Sequence, residues 1–177
     1  MGAALPGGMH RFLPVLALIA LAVPAPAAAG SYVSVGIGES PELSGLPGDD
    51  IGGRSGRIMV GKRHGALAIE GGGFGTTLGP ASSLVGLAII AKGHLTLAGP
   101  LSLYGKLGLN RGWVRTDTMG TVDSGNGHEL GIGADLGLGA GLGHASLWLD
   151  FTRQSFDMLS GAQAEIDTTQ VGIAFGF

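Results

Sequence analysis

The 177-residue sequence contains 36 glycines and no cysteine, and only 13% of its residues are charged. One domain fits this length, and the absent cysteines exclude a disulfide framework and a thiolate metal site. A formal net charge of −3, with no dense Lys/Arg cluster, excludes a nucleic-acid binder, whose contact face is basic.

Residues 1–29 read as a cleaved secretory signal peptide, which leaves 30–177 as a single mature domain. His10 and Arg11 give a weakly positive start, Leu13 to Val23 is an apolar run, and Ala27, Ala28 and Ala29 offer a small-residue cleavage site before Gly30. The run contains Pro14 and is shorter than the ~20 residues a membrane-spanning helix needs. Losing the segment removes Arg11, so Lys+Arg falls from 10 to 9 against Asp+Glu 13, a net charge near −4.

From Ser31 onward the apolar period is two, which is the period of strands. In chain order, SYVSVGIG presents Val33, Val35 and Ile37 on one face; GRIMVGK presents Ile58 and Val60; ALAIEGG presents Leu67 and Ile69. SLVGLAIIAKGHLTL follows with Val85, Leu87, Ile89, Leu95 and Leu97, then LSLYGKLGLNRGW with Leu101, Leu103, Leu107, Leu109 and Trp113. HELGIGADLGLG carries Leu130, Ile132, Leu136 and Leu138; HASLWLDFT carries Leu147, Leu149 and Phe151; TTQVGIAFGF carries Val171, Ile173, Phe175 and Phe177. Glycines are interleaved with these residues and show no G-X-Y period, so they belong to the strands themselves.

The connections alternate in length. Tight turns are expected at His64-Gly65, at Ala98-Gly99-Pro100 and around Gly143-His144, with long polar segments between the other strands. A two-residue turn at 64–65 sets Val60 opposite Ile69 and Met59 opposite Glu70. A three-residue turn at 98–100 sets Leu95 opposite Leu103 and Lys92 opposite Lys106. Both registers keep apolar residues on one face and charges on the other.

The second face holds Arg57, Glu70, Lys92, Lys106, Asp135 and Asp150, with Gln170, His94 and many glycines. A soluble ligand-binding barrel would turn the apolar face inward and leave this face in water. One charge or fewer per strand is too few for a solvated sheet, and Gly131, Gly133, Gly137 and Gly139 would make a poor one. The same glycines suit a narrow lumen within eight strands. The expected architecture is therefore all-β: an eight-stranded antiparallel up-and-down transmembrane barrel with short periplasmic turns and long extracellular loops. Its six lumen charges are expected to form a plugging network, with Glu70 near Lys92, Lys106 near Asp135, and Arg57 available to Asp150. Trp113, Phe151, Phe156, Phe175 and Phe177 are candidates for an outward aromatic girdle; Tyr104, Trp148 and Phe74 fall on the lumen parity.

A signal peptide, eight alternating strands and a final strand ending on Phe177 resemble the small Gram-negative outer-membrane barrels, such as the transmembrane domain of outer membrane protein A and its X-type cousins. The resemblance implies an outer-membrane location in contact with lipid and lipopolysaccharide. It also implies recognition of Ile173, Phe175 and Phe177 by the barrel-assembly machinery. It favours a structural or surface-interaction role with no cofactor and no catalysis; a narrow pore for small solutes is the alternative. A lipid A-modifying barrel enzyme ranks third: His144-Ala145-Ser146 has the spacing of one such deacylase, but Leu147 stands where that pattern has asparagine. His128-Glu129 is too small a set for a metal site, and GIGADLGLGAGLG, with no helix after it, is no dinucleotide fingerprint. Asp49, Asp50, Asp117 and Asp123 are acidic loop residues, read as solvated charges rather than a Ca²⁺ site.

Overall fold

The computed structural model describes residues 30–44, 53–78, 81–138 and 144–177. The signal-peptide reading, together with Asp49 and Asp50, lies outside the described residues. Eight strands follow one another: β1 (Ser31–Ser44), β2 (Gly53–His64), β3 (Leu67–Thr77), β4 (Ser82–Ala98), β5 (Leu101–Thr116), β6 (Gly120–Gly137), β7 (His144–Met158) and β8 (Gln163–Gly176). Each pairs antiparallel with its sequence neighbours, and β1 pairs with β8, so the sheet is a closed barrel without a free edge. Closure extends to the ends of the described chain, where the Phe177 amide donates to the Ser31 carbonyl at 2.9 Å.

The polarity is inverted relative to a soluble protein. Side chains such as Ile37, Ile69, Ile89, Leu109 and Ile132 stand outward, each about two-thirds exposed or more. An apolar surface this continuous is not stable against water and marks a lipid-facing wall. The opposite parity points inward and is buried.

Tight turns sit at the end that holds the termini. Gly65 and Gly99 adopt positive φ of 59° and 56°, a conformation that glycine reaches without strain. The β4–β5 register is the expected one, with Lys92 opposite Lys106 and Leu95 opposite Leu103. At β2–β3 the turn falls on Gly65-Ala66, one residue later than expected. Lys62 therefore opposes Ile69, and Val60 opposes Gly71. This slip of two residues preserves the parity, so each side chain keeps its face while its partner changes. The β6–β7 pairing continues to Leu138, whose amide donates to the Ala145 carbonyl at 2.9 Å, and residues 139–143, where a tight turn is expected, lie outside the described residues.

At the other end, the polar segments 116–127 and 154–168 are largely strand. β5 and β6 continue to Thr116 and Gly120, and β7 and β8 to Met158 and Gln163, so the extracellular connections there ride on hairpins that rise past the apolar band.

Candidate functional site in the barrel lumen

The lumen is built by pairing large side chains with glycines on the adjacent strand. In register, Tyr32 faces Gly61, Met59 faces Gly72, Phe74 faces Gly86, Tyr104 faces Gly133, Phe156 faces Gly127 and Trp148 faces Gly172. A Cβ at any of these glycines would collide with the side chain lying over it. The Trp148 ring also reaches Gly36 on β1, lying flat along the wall across β8. The glycine content is thus a packing requirement: rings and long chains lie against bare backbone, and a bore too narrow for two facing side chains is filled.

Toward the hairpin end the filling is apolar. Met59, Phe74, Leu78, Leu84, Ala88, Ile90, Phe156, Met158, Ala164 and Ile166 form one buried cluster, with Val114 and Ala162 against it. The Phe74 and Phe156 rings approach to 6.2 Å between centroids. Phe156, expected in the outward girdle, is only 2% exposed and lies inside. The alternation of β7 runs unbroken from Trp148, so every even position turns inward.

The next layer is charged. Arg57 and Glu129 meet through two hydrogen bonds, Nη1 to Oε1 at 3.1 Å and Nη2 to Oε2 at 2.9 Å. Their strands, β2 and β6, lie diametrically opposite in the ring, so this pair crosses the bore. Gln154 donates to the same carboxylate at 3.2 Å. Lys106 donates to Asp150 at 2.5 Å and stands 3.9 Å from Glu129; Thr152 donates to the other Asp150 oxygen at 3.0 Å. Toward the terminal end, Lys92 lies 2.8 Å from Glu70, which also accepts from the Tyr32 hydroxyl at 2.6 Å. The Lys92 ammonium sits 4.7 Å from the centre of the Tyr104 ring. His94 Nδ1 and an Asp135 oxygen are 3.3 Å apart, closest to the mouth, without the alignment of a hydrogen bond.

All six charges read from the sequence thus lie on the lumen face, and five are buried; Asp135 is partly open. Glu70 pairs with Lys92 as expected. Lys106 takes Asp150 and Glu129 rather than Asp135, and Arg57 takes Glu129 rather than Asp150. The residue the sequence reading missed is Glu129, which is 0% exposed. Its signal was its parity, shared with Gly131, Gly133 and Asp135. Its neighbour His128 points outward, so the two cannot converge on one ligand. With Glu129 included, four carboxylates meet Arg57, Lys92, Lys106 and His94. The Asn110 amide, Trp148 Nε1 and Gln170 Oε1 have no hydrogen-bond partner among the described residues.

The remaining candidates lie elsewhere. His144 and Ser146 pair with Gly176 and Ala174 at the terminal end of the barrel. Phe175 stands outward and half exposed, opposite Val33, and Ile173 stands opposite Val35. Asp117 is in the β5–β6 turn, and Asp123 accepts from the Ser160 hydroxyl at 2.6 Å, tying that hairpin to the β7–β8 turn. Among the described residues, no group of three His, Asp or Glu side chains is placed to hold a metal ion.

No family profile matches the chain, and no curated protein matches it in sequence. Solved structures do match in shape. Neisserial surface protein A superposes with a TM-score of 0.73 at 16% identity, over 86% of this chain and 100% of that one. The attachment invasion locus protein Ail of Yersinia pestis superposes with a TM-score of 0.53 at 13% identity, over 84% of this chain and 100% of that one. The chain has the fold of the small outer-membrane barrels. Ail has also been solved with the heparin analogue sucrose octasulfate, and that structure matches with a TM-score of 0.52.

Proposed function

We propose that this chain is an integral barrel of the Gram-negative outer membrane with a structural or surface-interaction role, its lumen closed to solutes. The observation that carries this reading is the Arg57–Glu129 clasp across the bore, stacked against the apolar layer of Phe74 and Phe156. A solute would have to break a buried ion pair and part a packed apolar cluster in series. The outward apolar band supports residence in lipid, and the hairpins rising beyond it supply the surface that meets partners. In this reading the terminal-end turns face the periplasm, the wall contacts outer-membrane lipid and lipopolysaccharide, and Ile173, Phe175 and Phe177 present the last strand to the barrel-assembly machinery.

Two measurements test it. The protein in an outer-membrane fraction should migrate differently on a gel before and after boiling, because a closed barrel resists detergent until heated. Reconstituted into planar bilayers, it should show no single-channel conductance. Discrete openings would overturn the closed-lumen role and favour the narrow pore.

A further inference from the structure

The outer face of β5 changes character within three outward positions. Leu107 and Leu109 are exposed and apolar; Arg111, Trp113 and Arg115 follow on the same face. Successive outward residues are ~6.6 Å apart along a strand, so the change from lipid-facing leucine to arginine takes one step. The outward neighbours in register are uncharged: Leu87, Val85 and Ser83 on β4, and Asn126, Ser124 and Thr121 on β6. Among the described residues, neither Arg111 nor Arg115 has a carboxylate within ion-pair distance. The rest of the hairpin-end rim is different. Arg153 forms a two-pronged pair with Asp167 at 2.8 and 2.6 Å, and Arg54 stands opposite Glu39. The Arg111 guanidinium lies 5.8 Å from the Trp113 ring centre, which holds it beside an indole suited to the lipid–water boundary.

Two arginines without an acid, at the edge of a lipid-facing wall and flanking an interfacial tryptophan, are complementary to an anion delivered by the membrane itself. Arginine presents a planar fork of donors that matches phosphate oxygens two at a time. We propose that Arg111, Trp113 and Arg115 form a binding site for the phosphate headgroup of a lipid in the leaflet on the hairpin side. The acyl chains of that lipid would run down the wall over Leu109, Leu87 and Ile89. This deepens the outer-membrane reading and rests on it. The occupant is a lipid and not free phosphate, because the apolar strip begins directly below the arginines.

The test uses the full chain refolded into vesicles, with Trp113 as reporter and a Trp113→Phe variant to subtract the signal of lumenal Trp148. The vesicles carry phosphatidylcholine or phosphatidic acid with acyl chains brominated close to the headgroup. Quenching of Trp113 by the brominated phosphatidylcholine is expected from membrane residence alone. Phosphatidic acid should quench with a relative association constant about fivefold higher or more. Arg111→Gln/Arg115→Gln should bring that ratio to about one, whereas Arg111→Lys/Arg115→Lys should keep part of the preference. A boiled-against-unboiled gel confirms that each variant is folded. Equal quenching by the two lipids, or a ratio unchanged in the glutamine variant, overturns the headgroup site and leaves the barrel reading intact. No quenching by either lipid overturns the membrane reading itself. A Trp113 response to inorganic phosphate in the absence of anionic lipid would make the occupant a free anion and overturn the lipid assignment.

Discussion

Glu129 is the residue on which the lumen depends most. Arg57, Lys106 and Gln154 all turn toward it, and it has no exposure to water. Glu129→Gln leaves Arg57 in the bore without its counter-charge and Lys106 with Asp150 alone, a change that costs roughly 3–5 kcal/mol when a buried pair is broken. Urea unfolding in lipid vesicles, followed by gel mobility, should show the midpoint fall sharply. Asp135→Asn should lower it far less, because that side chain is 18% exposed and its ion-pair neighbour is His94. Glu70→Gln belongs with the severe variants, since it removes the counter-charge of buried Lys92. The glycines make a complementary prediction. A methyl at Gly172 collides with the Trp148 ring and with the backbone of Val35. Gly172→Ala should therefore destabilise by about 1–3 kcal/mol, as overpacking does. Gly93→Ala, which faces open space on the outer wall, should leave the midpoint in place.

Among the strands, the β5–β6 and β7–β8 hairpins are joined beyond the membrane by Asp123. Its carboxylate accepts from the Ser160 hydroxyl at 2.6 Å and from the Ser124 amide at 2.7 Å, and the Leu159 amide donates to the Ser124 carbonyl at 2.8 Å. The Ser160 hydroxyl, followed by these backbone amides, holds the Asp123 carboxyl below the usual carboxylate range. Because the folded value is depressed, the latch stabilises the hairpins above the ordinary carboxylate pKa of about 3.9, and is lost as the pH falls through the lower, folded value. A carbon-13 titration in detergent micelles should show Asp123 titrating below the usual range and Ser160→Ala returning it upward. Exchange of the Leu159 amide should quicken in the same variant. A normal Asp123 titration in the wild type would contradict the latch.

For the molecule as a whole, the proposed closed lumen rests on two unlike layers in series, one ionic and one apolar. Removing the ionic one alone, as in Arg57→Ala/Glu129→Ala, leaves Phe74, Phe156, Ile90 and Ile166 packed across the bore. That variant should remain silent in a planar bilayer. Adding Phe74→Ala and Phe156→Ala removes the second barrier, and conductance should appear only in the combined variant. Openings in the ionic variant alone would show that the apolar layer is too loose to exclude water. Closure itself is enforced by the solvent: in hydrocarbon an unpaired strand edge leaves backbone donors and acceptors without partners at several kcal/mol each, so β1 must meet β8.

The alternation of apolar and small or polar residues was enough, read alone, to set the strand count, the antiparallel order and the lumen face of Arg57, Glu70, Lys92, Lys106, Asp135 and Asp150. Side chains on a strand change face at each step, so parity is local information. Parity also survived the two-residue slip at Gly65-Ala66. Glu129 shows the limit of such reading. It has the parity of Gly131 and Asp135, but nothing within β6 announces that it meets Arg57, 72 residues away on the opposite strand. Partners across a bore are set by the tilt and stagger of strands around the closed ring, which are properties of the whole circuit. The same holds for Phe156, whose place in the apolar layer follows from the glycines at 112 and 127 that make room for its ring. Local sequence determined which way each side chain points; the closed barrel decided what it meets.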